Sequence, residues 1–216
     1  MRNKRILLLS LLLFPFSHWI NNVSSVNGGF LTNDINENFN LNDVPKHGHI
    51  SYKLVRVDNP NSDELSAYKL IEQVLDSAIH YYNLYTTATK HITVYYVADN
   101  SVRADGNFNG NLRFGPNRTF INVGTAIHEI SHTIGVGTTG KWKTFGVFCD
   151  STGQTTFSGK NATKMLRQIT GDAKAQIFMD SQHFWPYGLN YANEYKTESD
   201  AINHCEIVNA MIKDGL

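Results

Sequence analysis

Between Asn61 and Tyr82 apolar side chains recur three and four positions apart: Leu65, Tyr68, Ile71, Val74, Leu75, Ala78, Ile79 and Tyr82. That is the period of one helical face, and a strand would scatter the same residues over two sides. Asn61 followed by Glu64 matches a capping box, which gives the helix a defined start. A helix of about six turns with an unbroken apolar stripe must be covered by a sheet or by other helices.

The neighbouring segments supply the cover. Residues 50–57 alternate well enough for a strand, and residues 91–97 (HITVYYV) are β-branched and aromatic. Residues 105–110 carry turn chemistry, with Gly106 and Gly110 flanking Asn107 and Asn109. Two further short strands are expected over 111–114 and 119–123, separated by Gly115-Pro116-Asn117. A helix is expected over 125–134, a short one over 161–169 and a last one over 197–213, with Ala201, Cys205, Val208 and Ile212 on one face. Residues 137–159 read as irregular. This order predicts an α+β domain, not a doubly wound one, with a small twisted sheet and a mostly helical or irregular C-terminal half.

The N-terminus reads differently. Arg2, Lys4 and Arg5 precede an apolar run over 6–16, and Val23-Ser24-Ser25 offers a small-residue cleavage site, so residues 1–25 are expected to be a secretory signal peptide. The run is short of the roughly 20 apolar residues that a bilayer span needs, so no membrane span is expected in the mature form. Residues 26–45, with Asn33, Asn36, Asn38, Asn40 and Asn42, read as a linker or short pro-segment, which leaves 46–216 as the folded domain. Extracellular or periplasmic localisation follows, and it makes a disulfide between Cys149 and Cys205 an expectation, two free thiols being the alternative. Lys+Arg and Asp+Glu number 19 each, which removes any electrostatic case for nucleic acid or an anionic membrane as partner.

Chemistry concentrates in the helix over 125–134, which contains His128, Glu129 and His132 as H-E-x-x-H. Four residues apart on a helix, two imidazoles share a face and can reach one cation. Zn²⁺ suits two neutral imidazoles and brings a bound water near neutral pKa. Glu129 stands beside that cation and is placed to move a proton. Ile127, Ile130 and Ile134 form a separate stripe for the core, and Gly135 lets the chain turn away.

The stretch NLRFGPNRTFINVGTAIHEISHTIGVGT, residues 111–138, resembles the active-site core of zincin metallopeptidases, the metzincin branch especially. The resemblance implies a zincin-like catalytic domain, a peptide or protein substrate, and an edge strand at residues 112–114 that pairs with it. Where that family carries its third histidine this chain has Thr138, so either a third ligand comes from elsewhere or zinc binding is weak or absent. His183, within HFWPYG, is the leading candidate, with Asp180 and Glu194 as carboxylate alternatives. The resemblance also offers Tyr187, in a turn after the metal helix, as a phenol that stabilises a developing oxyanion. The function so implied is a secreted zinc-dependent metallopeptidase with Glu129 as general base. The alternative from another class is a zincin-fold binding or adhesion domain without activity.

Overall fold

The computed structural model describes residues 47–149 and 153–216, the side chain of Cys149 excepted. The expected signal peptide and linker lie outside these residues. The long helix forms as α1, Ser62–Tyr85, and its capping box is present, the Glu64 N–H donating to Asn61 Oδ1 and the Asn61 N–H to Glu64 Oε2. It connects two parallel strands, β1 (His49–Val55) and β2 (Thr89–Tyr96). Two short strands complete this sheet, β3 (Ala104–Gly106) and β4 (Asn111–Phe114), in the order β1-β2-β4-β3 with β3 antiparallel to β4.

Register places the apolar residues on one face. Tyr52 lies opposite Ile92, Leu54 opposite Val94, and Val94 opposite Leu112. That face is covered by α1 and by α2 (Val123–Ile134), while Lys53, His91 and Arg113 are exposed. One covered face is the arrangement of an α+β domain. The C-terminal helix α5, Glu198–Asp214, packs on α1 and on α4, Lys160–Thr170.

The segment expected to be irregular carries regular elements among its described residues. It begins with α3, Gly140–Thr144, and continues into a second sheet of β5 (Gly146–Cys149), β6 (Gln154–Phe157), β7 (Phe178–Met179) and β8 (Phe184–Trp185), all antiparallel neighbours in sequence order. Trp142, Phe157, Met179 and Phe184 bury themselves between this sheet and the rest. These strands are two to four residues long, too short for their alternation to register in sequence.

Two expectations are corrected. Residues 119–123 form no strand: Arg118–Phe120 is a single 3₁₀ turn and α2 follows at Val123. The Asn117 carboxamide oxygen accepts from the Thr119 N–H at 3.1 Å and that of Asn122 from the Thr125 N–H at 2.9 Å. These caps outbid the strand preference of Phe120 and Ile121. The edge strand is also not residues 112–114, because β4 is flanked on both sides; the edge beside β4 is β3, and β1 is the sheet's other edge. The three residues of β3 read as turn because Asp105 and Gly106 are poor strand formers.

Gly106 shows what β3 requires. A Cβ there would lie 2.2 Å from the backbone oxygen of Glu129, so only glycine lets the edge strand rest on α2. Gly106→Ala is expected to destabilise the fold by about 3 kcal/mol, as an overpacked backbone contact does, and a urea denaturation midpoint will read it.

Candidate metal centre

α2 carries both histidines of the H-E-x-x-H pattern, and all three polar groups are nearly enclosed: His128, Glu129 and His132 are 9%, 7% and 8% exposed. The two imidazoles face each other with Nε2 atoms 3.1 Å apart. His183 joins them, its ring stacked 5.5 Å from that of His128. The three residues form one group whose ligand atoms lie within 4.8 Å of one another, an arrangement that can hold a metal ion.

Each ring is held by its other nitrogen. His128 Nδ1 lies 2.8 Å from the Gly188 carbonyl, His132 Nδ1 2.8 Å from the Val136 carbonyl, and His183 Nδ1 3.3 Å from Asp180 Oδ2. A carbonyl or carboxylate oxygen only accepts, so these contacts place a proton on Nδ1 and make Nε2 the ligand atom of each ring in its neutral form. Two lone pairs at 3.1 Å repel unless a cation sits between them. Metal–nitrogen bonds of 2.0–2.1 Å in a tetrahedron put neighbouring nitrogens about 3.3 Å apart. The residues fit a zinc-sized ion.

Burial pushes His128 down to about 3, with the neighbouring His132 adding to the shift. His132 is lowered by the same desolvation. Neutral imidazoles are the form that binds metal. Burial pushes the Glu129 carboxyl up to about 8, and the Asp105 charge adds to the rise, while a hydrogen bond from the Gly106 N–H opposes it. A cation among the histidines would pull Glu129 back towards ionisation.

His183 arrives from 51 residues beyond His132 by a tight hairpin between β7 and β8. Asp180 Oδ1 accepts from the N–H groups of Gln182 at 2.7 Å and His183 at 2.6 Å, and the Trp142 indole donates to the Asp180 carbonyl at 3.0 Å. Burial raises the Asp180 carboxyl, but these N–H bonds prevail and hold it below its usual range. Gly137 lets the hairpin close on the loop after α2: its φ is +68° and a Cβ would lie 2.1 Å from the Gln182 carbonyl oxygen. Thr138 donates to the His132 carbonyl at 2.6 Å and so completes the end of the helix.

The turn under His128 is built from Tyr187, Gly188 and Leu189, of which Tyr187 and Leu189 take left-handed φ values of 64° and 55°. Such conformations cost energy in residues with a Cβ. Asn190 Nδ2 to the Phe184 carbonyl (2.8 Å) and His204 Nδ1 to the Tyr187 carbonyl (2.7 Å) hold them in place. The Tyr187 carbonyl meets His204 and its ring packs against the core, while the next carbonyl, that of Gly188, reaches His128. Of the two carboxylates, Asp180 orients His183 and Glu194 accepts from the Asn190 N–H at 3.1 Å; neither belongs to the ligand group.

Sequence reasoning did not give His204 or Tyr82 a part in this centre. His204 is fully buried, and its Nε2 lies 3.0 Å from the Tyr82 hydroxyl, which donates to the Ile127 carbonyl at 2.9 Å. The pair thus ties α1 and α5 to both backbone segments that frame His128. Their only sequence signal was a histidine on the apolar face of a helix. Burial pushes His204 from 6.5 down to about 4. Above pH 6.5 neither folded nor unfolded chain is protonated there and nothing is lost. As pH falls from 6.5 to 4 the unfolded chain takes up a proton that the folded chain refuses, so stability declines. The loss is on the order of 3 kcal/mol. In chelator, the stability advantage of wild type over His204→Gln should shrink by that order between pH 7 and pH 4; a constant difference would contradict the assignment.

Cys205 is a buried free thiol on α5, and the expected disulfide rests on the side chain of Cys149, outside the described residues. No described helix is long and apolar enough to cross a membrane. Comparison with protein-family models, curated proteins and solved structures gives no match for this chain. What the fold and site define is an α+β protein with a three-histidine group suited to a metal ion.

Proposed function

We propose that this chain is a secreted zinc-dependent hydrolase of the zincin type that cleaves peptide bonds. The observation that carries the reading is the set of three Nδ1-anchored imidazoles with converging Nε2 atoms beside a buried carboxylate. Zinc held by His128, His132 and His183 would supply Lewis acidity and a water of lowered pKa. Glu129, returned towards its ionised form by such a cation, accepts a proton from the attacking water and delivers it to the leaving amine. The Gly106 N–H holds that carboxylate at the edge of the cleft.

β3 supports a peptide substrate over other amides. Residues 103 and 107 bond to β4, through Gly115 N–H to Arg103 O at 2.8 Å and Asn107 N–H to Asn111 O at 3.0 Å. Alternation then turns the backbone groups of Ala104 outwards, where an extended chain can add as a further strand. Tyr187 in this reading positions His128 through the turn it opens.

The test is digestion of a mixture of unfolded proteins by the purified chain, followed by mass spectrometry, with and without a chelator. Cleavage that disappears with chelator and returns with Zn²⁺ is expected. A zinc-loaded protein that leaves every peptide intact would overturn the reading in favour of a binding domain.

A further inference from the structure

A cavity of about 540 Å³ opens from the metal centre and runs between the start of α2 and residues 189–195. His128, Glu129, His183, Leu189, Tyr195 and Arg103 are among the residues that line it. Arg103 brings the one permanent positive charge among the lining residues. Its guanidinium lies 5.3 Å over the ring of Phe120, which also lines the cavity. A cation–π contact of this kind uses none of the guanidinium's five N–H donors. Among the described residues Arg103 has neither an ion pair nor a side-chain hydrogen bond, whereas Arg56, Arg113 and Arg118 are each paired with a carboxylate.

An exposed guanidinium on the rim of the cavity, with no ion pair or side-chain hydrogen bond of its own, matches a carboxylate presented in two-pronged fashion. The direction of a bound chain says where that carboxylate comes from. Arg103 immediately precedes β3, and Gly106 at the other end of β3 contacts Glu129. A peptide pairing antiparallel to β3, the better of the two ladders, runs from Gly106 towards Arg103. The residues after the scissile bond then enter this cavity.

We propose that Arg103 makes the cavity a carboxylate subsite, selecting substrates with an acidic group one or two residues after the scissile bond. The inference rests on the hydrolase reading for its orientation. The acidic group is either an Asp or Glu side chain or the carboxylate of a chain terminus, the two sources of one chemistry.

Two measurements test it. The first is binding of zinc-loaded protein to peptide hydroxamates that differ only in Glu or Gln at the position after the chelating group, each with a free or an amidated C-terminus. The Glu compound, or the free-terminus compound, is expected to bind about tenfold more tightly than its neutral counterpart, and the two arms identify the source. Arg103→Gln should erase the difference and Arg103→Glu reverse it. Equal binding of charged and neutral compounds, or binding of none, overturns the proposal. The second is cleavage-site profiling of a peptide library, where acidic residues should be enriched after the scissile bond in wild type and not in Arg103→Gln. A charge-dependent affinity without any cleavage would leave the carboxylate subsite standing and sink the peptidase reading instead. Cleavage with an identical profile in both proteins would do the opposite.

Discussion

In the proposed peptidase, Glu129→Gln is expected to lower peptide hydrolysis by about a thousandfold, within the range that general acid–base groups contribute, while Zn²⁺ binding is kept. Gln preserves the shape of the side chain and can still accept from the Gly106 N–H, but it cannot hold a proton in transit. The same substitution should stabilise the metal-free protein. Burial raises the folded-state pKa of Glu129 from 4.5 to about 8. Its favourable protonated form is therefore available below pH 4.5, and stability is lost as pH rises from 4.5 through 8. At pH 8 the metal-free variant should unfold at higher urea than wild type, and near pH 4.5 the gain should vanish. Loss of turnover with a pH-dependent gain in stability distinguishes a proton-transfer role from simple damage to the fold. If the variant turns over peptides as fast as wild type, Glu129 is not the base.

How much of this was legible in the sequence follows from the range of the forces involved. α1, α2 and α5 could be read because helix period and apolar stripes are local; the Asn61 cap marked the start of α1, whereas Asn122, the cap of α2, fell inside an expected strand. H-E-x-x-H could be read for the same reason, since one turn of helix fixes the pair. His183 could be named as the leading third ligand, but Asp180 and Glu194 stayed open as alternatives. The choice depends on how the β7–β8 hairpin folds over Gly137, a contact between segments some 45 residues apart in sequence. Leu112 and Phe114 showed strand character and drew the edge assignment to themselves. The edge on that side, Ala104–Gly106, is held by packing on α2 more than by its own propensity. The Tyr82–His204 pair joins residues 122 apart and could not be seen before the helices were packed.

The strands of the second sheet show the same limit from the other side. Each is too short to carry a pattern, and each is stabilised by what it lies on: Trp142 from α3, Phe157 from β6 and Phe184 from β8 exclude water together. Their function is indirect. They carry the hairpin that brings His183 to the histidines of α2, so part of the hydrophobic core is spent on aiming one imidazole.

Removing that imidazole should therefore have the largest effect on metal affinity of any change outside α2. His183→Ala leaves two nitrogens, and a catalytic zinc site needs three protein ligands. Its affinity for Zn²⁺ should fall by well over about 100-fold, the upper end for losing an orienting partner alone. Asp180→Asn is the informative companion. Asn can still accept from the Gln182 and His183 N–H groups, so the hairpin should persist, but its hold on His183 Nδ1 weakens. A loss of about 10- to 100-fold is expected there. Competition against a chromogenic chelator measures both, on the full chain, with circular dichroism to verify the fold. The order of the two effects is what matters. A greater loss in Asp180→Asn than in His183→Ala would make the carboxylate the ligand and His183 its support, and the three-imidazole centre would have to be abandoned.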